Sequence, residues 1–225
     1  MAAIKLTQKA NKERVREIIQ RLAEAYPDAR CSLDFETPLE LLVAAILSAQ
    51  CTDERVNVVT KELFKRFKTA QDYLDAPDGE LENLIRTCGF YRNKAKSIKK
   101  ACATLVERFG GEIPGTMEEL LQLDGVGRKT ANVLLGECFG VPGIIVDTHC
   151  KRVTHRLGLT KNTDPVKIER DLMKIVPKED WTMFSHYMVF HGRRTCHARK
   201  PKCDSCPIAD LCPFPTSRDG RKAAK

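Results

Sequence analysis

Apolar residues recur along most of the chain with the 3.6-residue period of an α-helix. The segment from Asn11 to Tyr26 has one apolar stripe at i, i+3, i+4 and i+7, formed by Val15, Ile18, Ile19 and Leu22. The segment "PLELLVAAILSAQ", which begins at Pro38, has proline in its first turn and is apolar nearly all round. This pattern predicts a helix buried at the centre of a bundle.

The same period predicts five more helices before Gly140, at residues 53–67, 81–88, 94–109, 117–123 and 128–139. Thr116 and Glu119 have the spacing of a capping box at the start of the fourth. The β-branched segment "GIIVD" at 143–147 could form a strand, but a lone strand would have no partner. We therefore predict an all-α fold, with a second group of helices after Gly143.

Charge and composition narrow the class of protein. The 225 residues carry a formal net charge of +8, with a pI near 9.0, which is compatible with a polyanionic partner without proving one. The N-terminus lacks the apolar core of a signal peptide, and the longest aliphatic run, Leu41 to Leu47, is too short to span a bilayer. We expect a cytoplasmic protein of a bacterium or archaeon, with no membrane partner.

Two glycines and two cations meet in "LDGVGRKTA", between the predicted fourth and fifth of these helices. Gly125, Val126 and Gly127 could bring backbone N–H groups close to a phosphate at the start of a helix. The same glycines could instead serve only the turn of an αα-hairpin. Arg128 and Lys129 stand at the positive end of the helix dipole, where cations are mildly unfavourable. Such a placement indicates either surface decoration or a negatively charged ligand. The helical period predicts that Lys129 lies roughly opposite the buried apolar stripe of this helix, which consists of Ala131, Leu134, Leu135 and Cys138.

Four of the ten cysteines lie within 17 residues near the C-terminal end. Cys196, Cys203, Cys206 and Cys212 have the spacing C-x6-C-x2-C-x5-C, which predicts one metal centre in a reducing compartment. Four thiolates suit tetrahedral zinc, although zinc sites usually have two short C-x2-C pairs and only one is present. Six other cysteines are scattered, and we interpret them as small core residues.

The motifs "LDGVGRKTA", "VDTHCKRVTHRLGL", "LLVAAILSAQCTDERVN", "GFYRNKA" and the cysteine segment occur in the order found in the endonuclease III family. The chain resembles that family of helix-hairpin-helix DNA glycosylases from about residue 15 to residue 213. The resemblance implies a [4Fe–4S] cluster on the four cysteines. It also implies two helical domains with the active-site cleft between them: a six-helix barrel at 31–141, and a discontinuous cluster domain at 1–30 and 142–225.

The resemblance assigns the chemistry to Lys129 as nucleophile and Asp147 as its partner. A nucleophilic amine must be held partly neutral by burial or nearby positive charge, and both the helix N-terminus and Arg128 act in that direction on Lys129. Asp147 has a second interpretation as the N-cap of a helix that begins at Thr148, and the two roles are compatible.

Further DNA contacts follow from the same resemblance. Gln50 and Phe90 would fill the gap left by an extruded base, and His149 would reach the backbone or the gap; the alternatives are a helix-end polar residue, a core aromatic and a satisfied histidine. Arg199 and Lys202, together with Lys200, form a basic knuckle between the first two cysteines.

Two positions depart from the family. Phe90 stands where leucine is common, and Asp124 stands where proline is usual, which predicts weaker phosphate affinity.

The sequence thus predicts a monomeric base excision repair glycosylase that removes oxidised pyrimidines from duplex DNA and cleaves the resulting abasic site by β-elimination. Two alternatives remain at this point. One is a mismatch-specific glycosylase of the same superfamily, and the other is a non-catalytic, zinc-binding DNA module.

Overall fold

A computed structural model describes residues 8–215 of the chain, and these residues contain helices and no strands. The helices are α1 Gln8–Ala25, α2 Pro38–Leu47, α3 Asp53–Arg66, α4 Ala70–Leu74, α5 Glu80–Leu84, α6 Tyr91–Phe109, α7 Met117–Leu120, α8 Arg128–Cys138, α9 Thr148–Arg156, α10 Pro165–Met173 and α11 Trp181–Arg194, with 3-10 turns at Arg86–Cys88, Lys178–Asp180 and Cys203–Ser205. The all-α prediction is confirmed. No helix in this part of the chain is long and apolar enough to cross a membrane.

The predicted helices of the first half are present, with three differences in detail. The predicted helix at 81–88 breaks at Ile85 into α5 and a 3-10 turn, and α7 ends at Leu120. Thr116 caps α7, but the predicted capping box is incomplete. The Glu119 carboxylate accepts from the Thr116 hydroxyl at 2.6 Å, whereas in a capping box it would accept from the backbone N–H of that residue. The short α4 was not predicted, because its five residues are too few for a helical period.

The segment "GIIVD" is extended but pairs with no strand. Its backbone is satisfied by a side chain instead, since the Ile145 N–H donates to Ser185 Oγ at 2.8 Å. The Ser185 hydroxyl in turn donates to the Trp181 carbonyl at 2.9 Å. Helix α11 therefore holds the segment that leads into Asp147.

The described residues divide into two compact units. One is Cys31–Val141, and the other combines the described parts of Met1–Arg30 and Pro142–Lys225. Residues 1–7 and 216–225, which the sequence assigns to the discontinuous domain, lie outside the described part. Each unit has its own apolar core.

Helix α2 lies at the centre of the Cys31–Val141 unit. Eight of its ten residues are buried, and it contacts α3, α6 and α8. Thr37 caps it by accepting from the Glu40 N–H at 3.2 Å, and Pro38 occupies the first turn. The buried helix that the sequence predicted is thus confirmed, and Gln50 lies in the turn that follows its last residue, Leu47.

In the discontinuous unit the most extensive helix contact is between α9 and α11, and α1 packs against α11. The predicted stripe of α1 is buried completely or nearly so. Arg14 on α1 also donates to the carbonyls of Leu157 at 3.1 Å and Leu211 at 2.9 Å, and Arg21 pairs with Asp210 at 2.7 Å. The first helix of the chain is therefore fastened to the segment that carries the four cysteines.

Candidate functional site

A depression of about 480 Å³ opens on the surface of the Cys31–Val141 unit. Four residues that the sequence singled out line it: Gln50, Phe90, Gly125 and Lys129. The rest of the lining comes from α2 and the turn after it, from α6 and from α8, namely Ala45, Ile46, Ser48, Ala49, Asn93, Lys94, Ser97 and Thr130. Residues from three separate sequence motifs are thus brought to one place.

The two glycines of the hairpin have different structural roles. Gly125 has φ +77, and a Cβ there would lie 3.3 Å from the Ser97 side chain, so the turn itself requires glycine. Gly127 has φ −96 and ψ 175, which any residue adopts, and no described atom lies within 4 Å of where its Cβ would be. The turn alone therefore does not explain Gly127, which favours close approach of an external group such as a phosphate.

Val126 anchors the hairpin from within. Its side chain is 8% exposed, and its N–H donates to the Leu123 carbonyl at 3.1 Å. The predicted phosphate contact of this residue is thus not available to its amide, which leaves the neighbouring N–H groups at the start of α8 for that role.

Lys129 lies in the first turn of α8 and is exposed. The opposite face of this helix carries the predicted buried stripe, with Ala131, Leu134 and Leu135 inside the core and Cys138 packed against it. The orientation derived from the helical period is therefore confirmed. Because the stripe faces the core, Lys129 on the other side of the helix faces the depression.

Gln50 and Phe90 share an unusual backbone conformation. Both lie in the left-handed region, with φ +54 and +47, and among the described non-glycine residues only Lys200 joins them there. The Phe90 side chain is 64% exposed, so it is not a core aromatic. An exposed phenyl group on a strained backbone suits a wedge between bases, since strain of this kind clusters at functional sites.

Asp147 precedes α9 and caps it, since its Oδ1 accepts from the Cys150 N–H at 2.6 Å. The cap interpretation is therefore correct for one carboxylate oxygen. The residue is half-buried, and the extended segment before it is held by Ser185.

His149 lies in the first turn of α9, and burial is the main cause that lowers the pKa of its imidazole, with Asp147 acting in the opposite direction. The Arg152 guanidinium lies 3.1 Å from His149 Nδ1, and because arginine can only donate, this nitrogen accepts. Burial and the nearby Arg152 thus both disfavour the charged form of the imidazole.

Asp124, which stands in the place of the usual proline, lies 3.5 Å from the Lys100 ammonium on α6. Lys100 offsets the negative charge that the sequence suggested would repel a phosphate. Both side chains are more than a third exposed, so the pair contributes little to stability.

The four cysteines of the C-terminal segment line one small cavity of about 20 Å³. Within residues 8–215, no group of three or more His, Cys, Asp or Glu side chains is placed to hold a metal ion directly. A zinc ion would require the sulfurs to converge to about 2.3 Å from one point. Four cysteine thiols around one pocket are the ligand set that an iron–sulfur cluster uses.

Polar side chains support this cavity from α9 and α11. Arg156 lies 3.2 Å from Cys196 Sγ and donates to the carbonyls of His197 at 2.7 Å and Ala198 at 2.9 Å. His191 Nε2 lies 3.8 Å from Cys206 Sγ, and its Nδ1 lies 2.9 Å from the Tyr26 hydroxyl. Burial raises the pKa of Cys212 to about 11, so a bound metal must supply the charge that favours its thiolate.

The basic knuckle begins at Arg199, immediately after the two residues whose carbonyls Arg156 contacts, His197 and Ala198. Arg199, Lys200 and Lys202 are all exposed, and the Lys202 N–H donates to the Thr195 carbonyl at 3.0 Å. The loop is therefore held by its backbone while its cations remain free to meet phosphates.

The six scattered cysteines lie in or against the two cores, as the sequence predicted. Burial raises the pKa of five of them, which keeps these thiols protonated: Cys31, Cys88, Cys102, Cys138 and Cys150.

Sequence reasoning missed several supporting residues, notably Lys94, Arg152 and Arg156. Lys94 had a detectable signal, because it occupies an apolar-stripe position of α6, four residues before Ile98. Arg152 and Arg156 are four residues apart and so share a helix face. Which carbonyls they reach depends on α11 and the cysteine loop, and the sequence does not show that.

Comparison with known proteins agrees with this geometry. Residues 43–178 match the model of the HhH-GPD superfamily of base excision DNA repair proteins, and residues 196–212 match the iron-sulfur binding domain of endonuclease III. The second match begins and ends at two of the four cysteines. The fold and the site thus define a helix-hairpin-helix base excision repair protein.

Individual relatives specify the family. Endonuclease III of Synechocystis sp. is 56% identical over 205 residues, which cover 91% of this chain and 94% of that protein, and that of Bacillus subtilis is 46% identical with 96% of each covered. A non-covalent endonuclease III–DNA complex has a TM-score of 0.87 at 48% identity, covering 96% of this chain and 98% of that one. A trapped covalent endonuclease III–DNA intermediate has a TM-score of 0.88 at 47% identity, covering 98% and 100%. The chain belongs to the endonuclease III family, and its cofactor is a [4Fe–4S] cluster.

Proposed function

We propose that this base excision repair enzyme removes oxidised pyrimidines from duplex DNA and then cleaves the abasic strand, with Lys129 as the nucleophile. One observation carries the proposal. The depression in the Cys31–Val141 unit places an exposed lysine at a helix N-terminus together with Gln50, Phe90 and Gly125. A relative at 47% identity has been trapped as a covalent DNA intermediate, which agrees with a nucleophilic side chain.

The chemistry begins when the neutral Lys129 amine attacks C1′ of the damaged nucleoside. The bond from C1′ to the base breaks, and its electron pair leaves with the base, which takes up a proton. The sugar ring opens to give an iminium ion between Lys129 Nζ and C1′. This cation acidifies the C2′ proton, and its loss expels the 3′ phosphate by β-elimination. Water then releases the lysine.

Asp147 stabilises positive charge that develops on the sugar as the base departs. It also serves to move protons to or from the amine. One carboxylate oxygen already accepts the Cys150 N–H, so the cap fixes the direction in which the other oxygen points. In this proposal a single orientation of the Asp147 side chain therefore serves both capping and catalysis.

The target base lies inside a duplex and must be extruded, at a cost of a few kcal/mol. In our proposal Gln50 and Phe90 fill the space it leaves, and His149 donates a hydrogen bond to the DNA. The N–H groups of the hairpin, together with Arg128, bind phosphate beside the lesion. Because phenylalanine is wider and stiffer than leucine, Phe90 gives this enzyme its own dependence on the opposite base.

Cys196, Cys203, Cys206 and Cys212 hold the [4Fe–4S] cluster in this proposal. The cluster supplies a rigid link between segments that are distant in sequence. Arg156 and Lys202 then keep the knuckle of Arg199 in a fixed position against phosphate. The two compact units correspond to the barrel and cluster domains, and the enzyme acts as a monomer on double-stranded DNA.

A panel of duplexes tests the proposal, each carrying one oxidised pyrimidine, one mismatch or one abasic site, with and without borohydride. We expect base release and strand cleavage at oxidised pyrimidines, and a covalent adduct when borohydride is present. Lys129→Ala should abolish the adduct, because a covalent protein–DNA adduct forms only when borohydride reduces an iminium between the enzyme and the sugar. Lys65→Ala, which removes an exposed lysine paired with Glu62 on α3, should leave it unchanged.

An adduct that persists in Lys129→Ala would exclude this lysine as the nucleophile. Activity confined to mismatches would instead favour a mismatch glycosylase. Light scattering of the free protein and of its complex with one duplex tests the monomeric state.

A further inference from the structure

Lys94 is a buried lysine in the first turns of α6. Its side chain is 5% exposed in a stripe that otherwise holds Ala95, Ile98 and Ala101. Its ammonium donates two hydrogen bonds of 2.8 Å, to the carbonyls of Leu47 and Cys88. A buried ammonium is costly unless it is hydrogen-bonded, and bonds to a charged donor are stronger than neutral ones. Lys94 therefore clamps two backbone segments together.

The two acceptors stand at the ends of helical elements. Leu47 is the last residue of α2, and Cys88 is the last residue of the 3-10 turn Arg86–Cys88. Carbonyls at such ends lack partners within their own helix, and Lys94 satisfies both. Gln50 follows Leu47 by three residues, and Phe90 follows Cys88 by two. The two hydrogen bonds from Lys94 therefore hold the backbone shortly before Gln50 and shortly before Phe90.

Gln50 and Phe90 both hold left-handed backbone conformations, with φ +54 and +47. For residues other than glycine this conformation is strained, because Cβ lies too close to the following carbonyl oxygen. Such strain persists only where the surrounding structure fixes the backbone. Helices α3 and α6 pack against both segments, and the Lys94 ammonium adds a direct polar bridge between their backbones, which fixes the separation of the two carbonyls.

We propose that Lys94 is a positioning residue that sets Gln50 and Phe90 at the spacing needed to enter the gap left by the extruded base. This inference rests on the proposed function of those two residues. Lys94 lines the same depression as both of them and Lys129. It acts through the two carbonyls and does not touch the reacting atoms.

A double-mutant cycle separates this role from general structural support. Lys94→Met keeps the aliphatic stem but removes all three donors. We expect it to lower the single-turnover rate of base release by about 10- to 100-fold, because an error of about 1 Å in position has effects of that size. In a Gln50→Ala, Phe90→Ala background the same change should have less than about a twofold effect, since the residues it positions are gone.

A fluorescent base analogue opposite a stable abasic-site mimic provides a second readout. Wild-type protein should change its fluorescence at saturation by entering the stack, and Lys94→Met should give a smaller change. Lys94→Gln, which retains amide donors, should restore part of it and serves if the methionine variant does not fold.

Equal effects of Lys94→Met in the two backgrounds, or an unchanged fluorescence signal, would overturn the inference. The proposed function fails separately, if wild-type protein forms no borohydride adduct at all.

Discussion

Asp147 uses one oxygen to accept the Cys150 N–H at 2.6 Å, and this contact explains why sequence reasoning found two interpretations of the residue. Both depend on the same position before α9. Asparagine caps a helix about as well as aspartate but carries no charge. The two roles can therefore be separated by substitution.

We predict that Asp147→Asn keeps the stability of the fold within a few tenths of a kcal/mol, while base release slows by about 100- to 1,000-fold, the usual effect of removing one group that stabilises transition-state charge. Asp147→Ala is the matched variant, and it should also cost about 1 kcal/mol through the lost cap. Thermal melting and single-turnover assays measure the two effects. A fully active Asp147→Asn would restrict the residue to capping.

At the residue scale, the sequence indicated the residues proposed for the chemistry more readily than the residues that hold them in place. Lys129 was oriented by the stripe of Ala131, Leu134 and Leu135 alone, because helical geometry fixes which positions share a face. The clamp by Lys94 could not be predicted in the same way. Its acceptors are carbonyls, every residue has one, and only the packing of α2 against α6 decides which two it reaches.

At the scale of elements, α9 and α11 pack closely where α11 has a glycine, Gly192, which has no side chain. A Cβ at Gly192 would lie 2.8 Å from His149 Nδ1 and 3.0 Å from the Arg152 guanidinium. The Gly192 carbonyl also accepts from Arg152 at 2.9 Å. Glycine within a helix usually weakens it, and Gly192 in the last turn of α11 is explained by the close approach to α9.

We predict that Gly192→Ala lowers stability by about 1–3 kcal/mol, as expected for overpacking, and displaces His149 and Arg152. The higher helix propensity of alanine does not offset this clash. The matched control is Gly136→Ala, because Gly136 lies two residues before the end of α8, as Gly192 does in α11. Thermal melting should show a lower Tm for Gly192→Ala than for the control, and equal values would refute close packing at this contact.

Elements with a sustained period were predictable, and short or irregular ones were not. Helices α2, α3 and α8 begin where the sequence placed them, since Thr37, Thr52 and Gly127 precede clear apolar stripes. The extended segment before Asp147 gave an ambiguous strand signal. Its backbone partner is a serine hydroxyl 40 residues later, and such a contact leaves no local pattern.

For the whole molecule, the net charge of +8 gave only a weak indication of nucleic acid. The structure makes this indication more specific, because Arg199 and Lys202 are exposed on a loop whose backbone is hydrogen-bonded to Thr195. Binding to phosphate releases counterions, and each phosphate contact contributes about 0.9 to the slope of log K against log salt.

We predict that Arg199→Ala with Lys202→Ala reduces this slope by about 1.8 on an undamaged duplex, because the knuckle contacts phosphates and reads no bases. Lys65→Ala with Lys61→Ala on α3 is a control of equal charge. Anisotropy titrations at several salt concentrations measure the slope. If both pairs gave the same reduction, overall charge would explain the binding without a dedicated knuckle.

The discontinuous unit also has a consequence for synthesis on the ribosome. Helix α1 emerges first, yet its partner α11 ends at Arg194, about 170 residues after Ala25. At about 5–20 residues per second, the apolar face of α1 waits roughly 10 to 30 s for that partner. The continuous segment Cys31–Val141 can complete its core in the meantime. The nascent chain therefore finishes its middle before its beginning, and the exposed first helix is where a ribosome-associated chaperone would be needed.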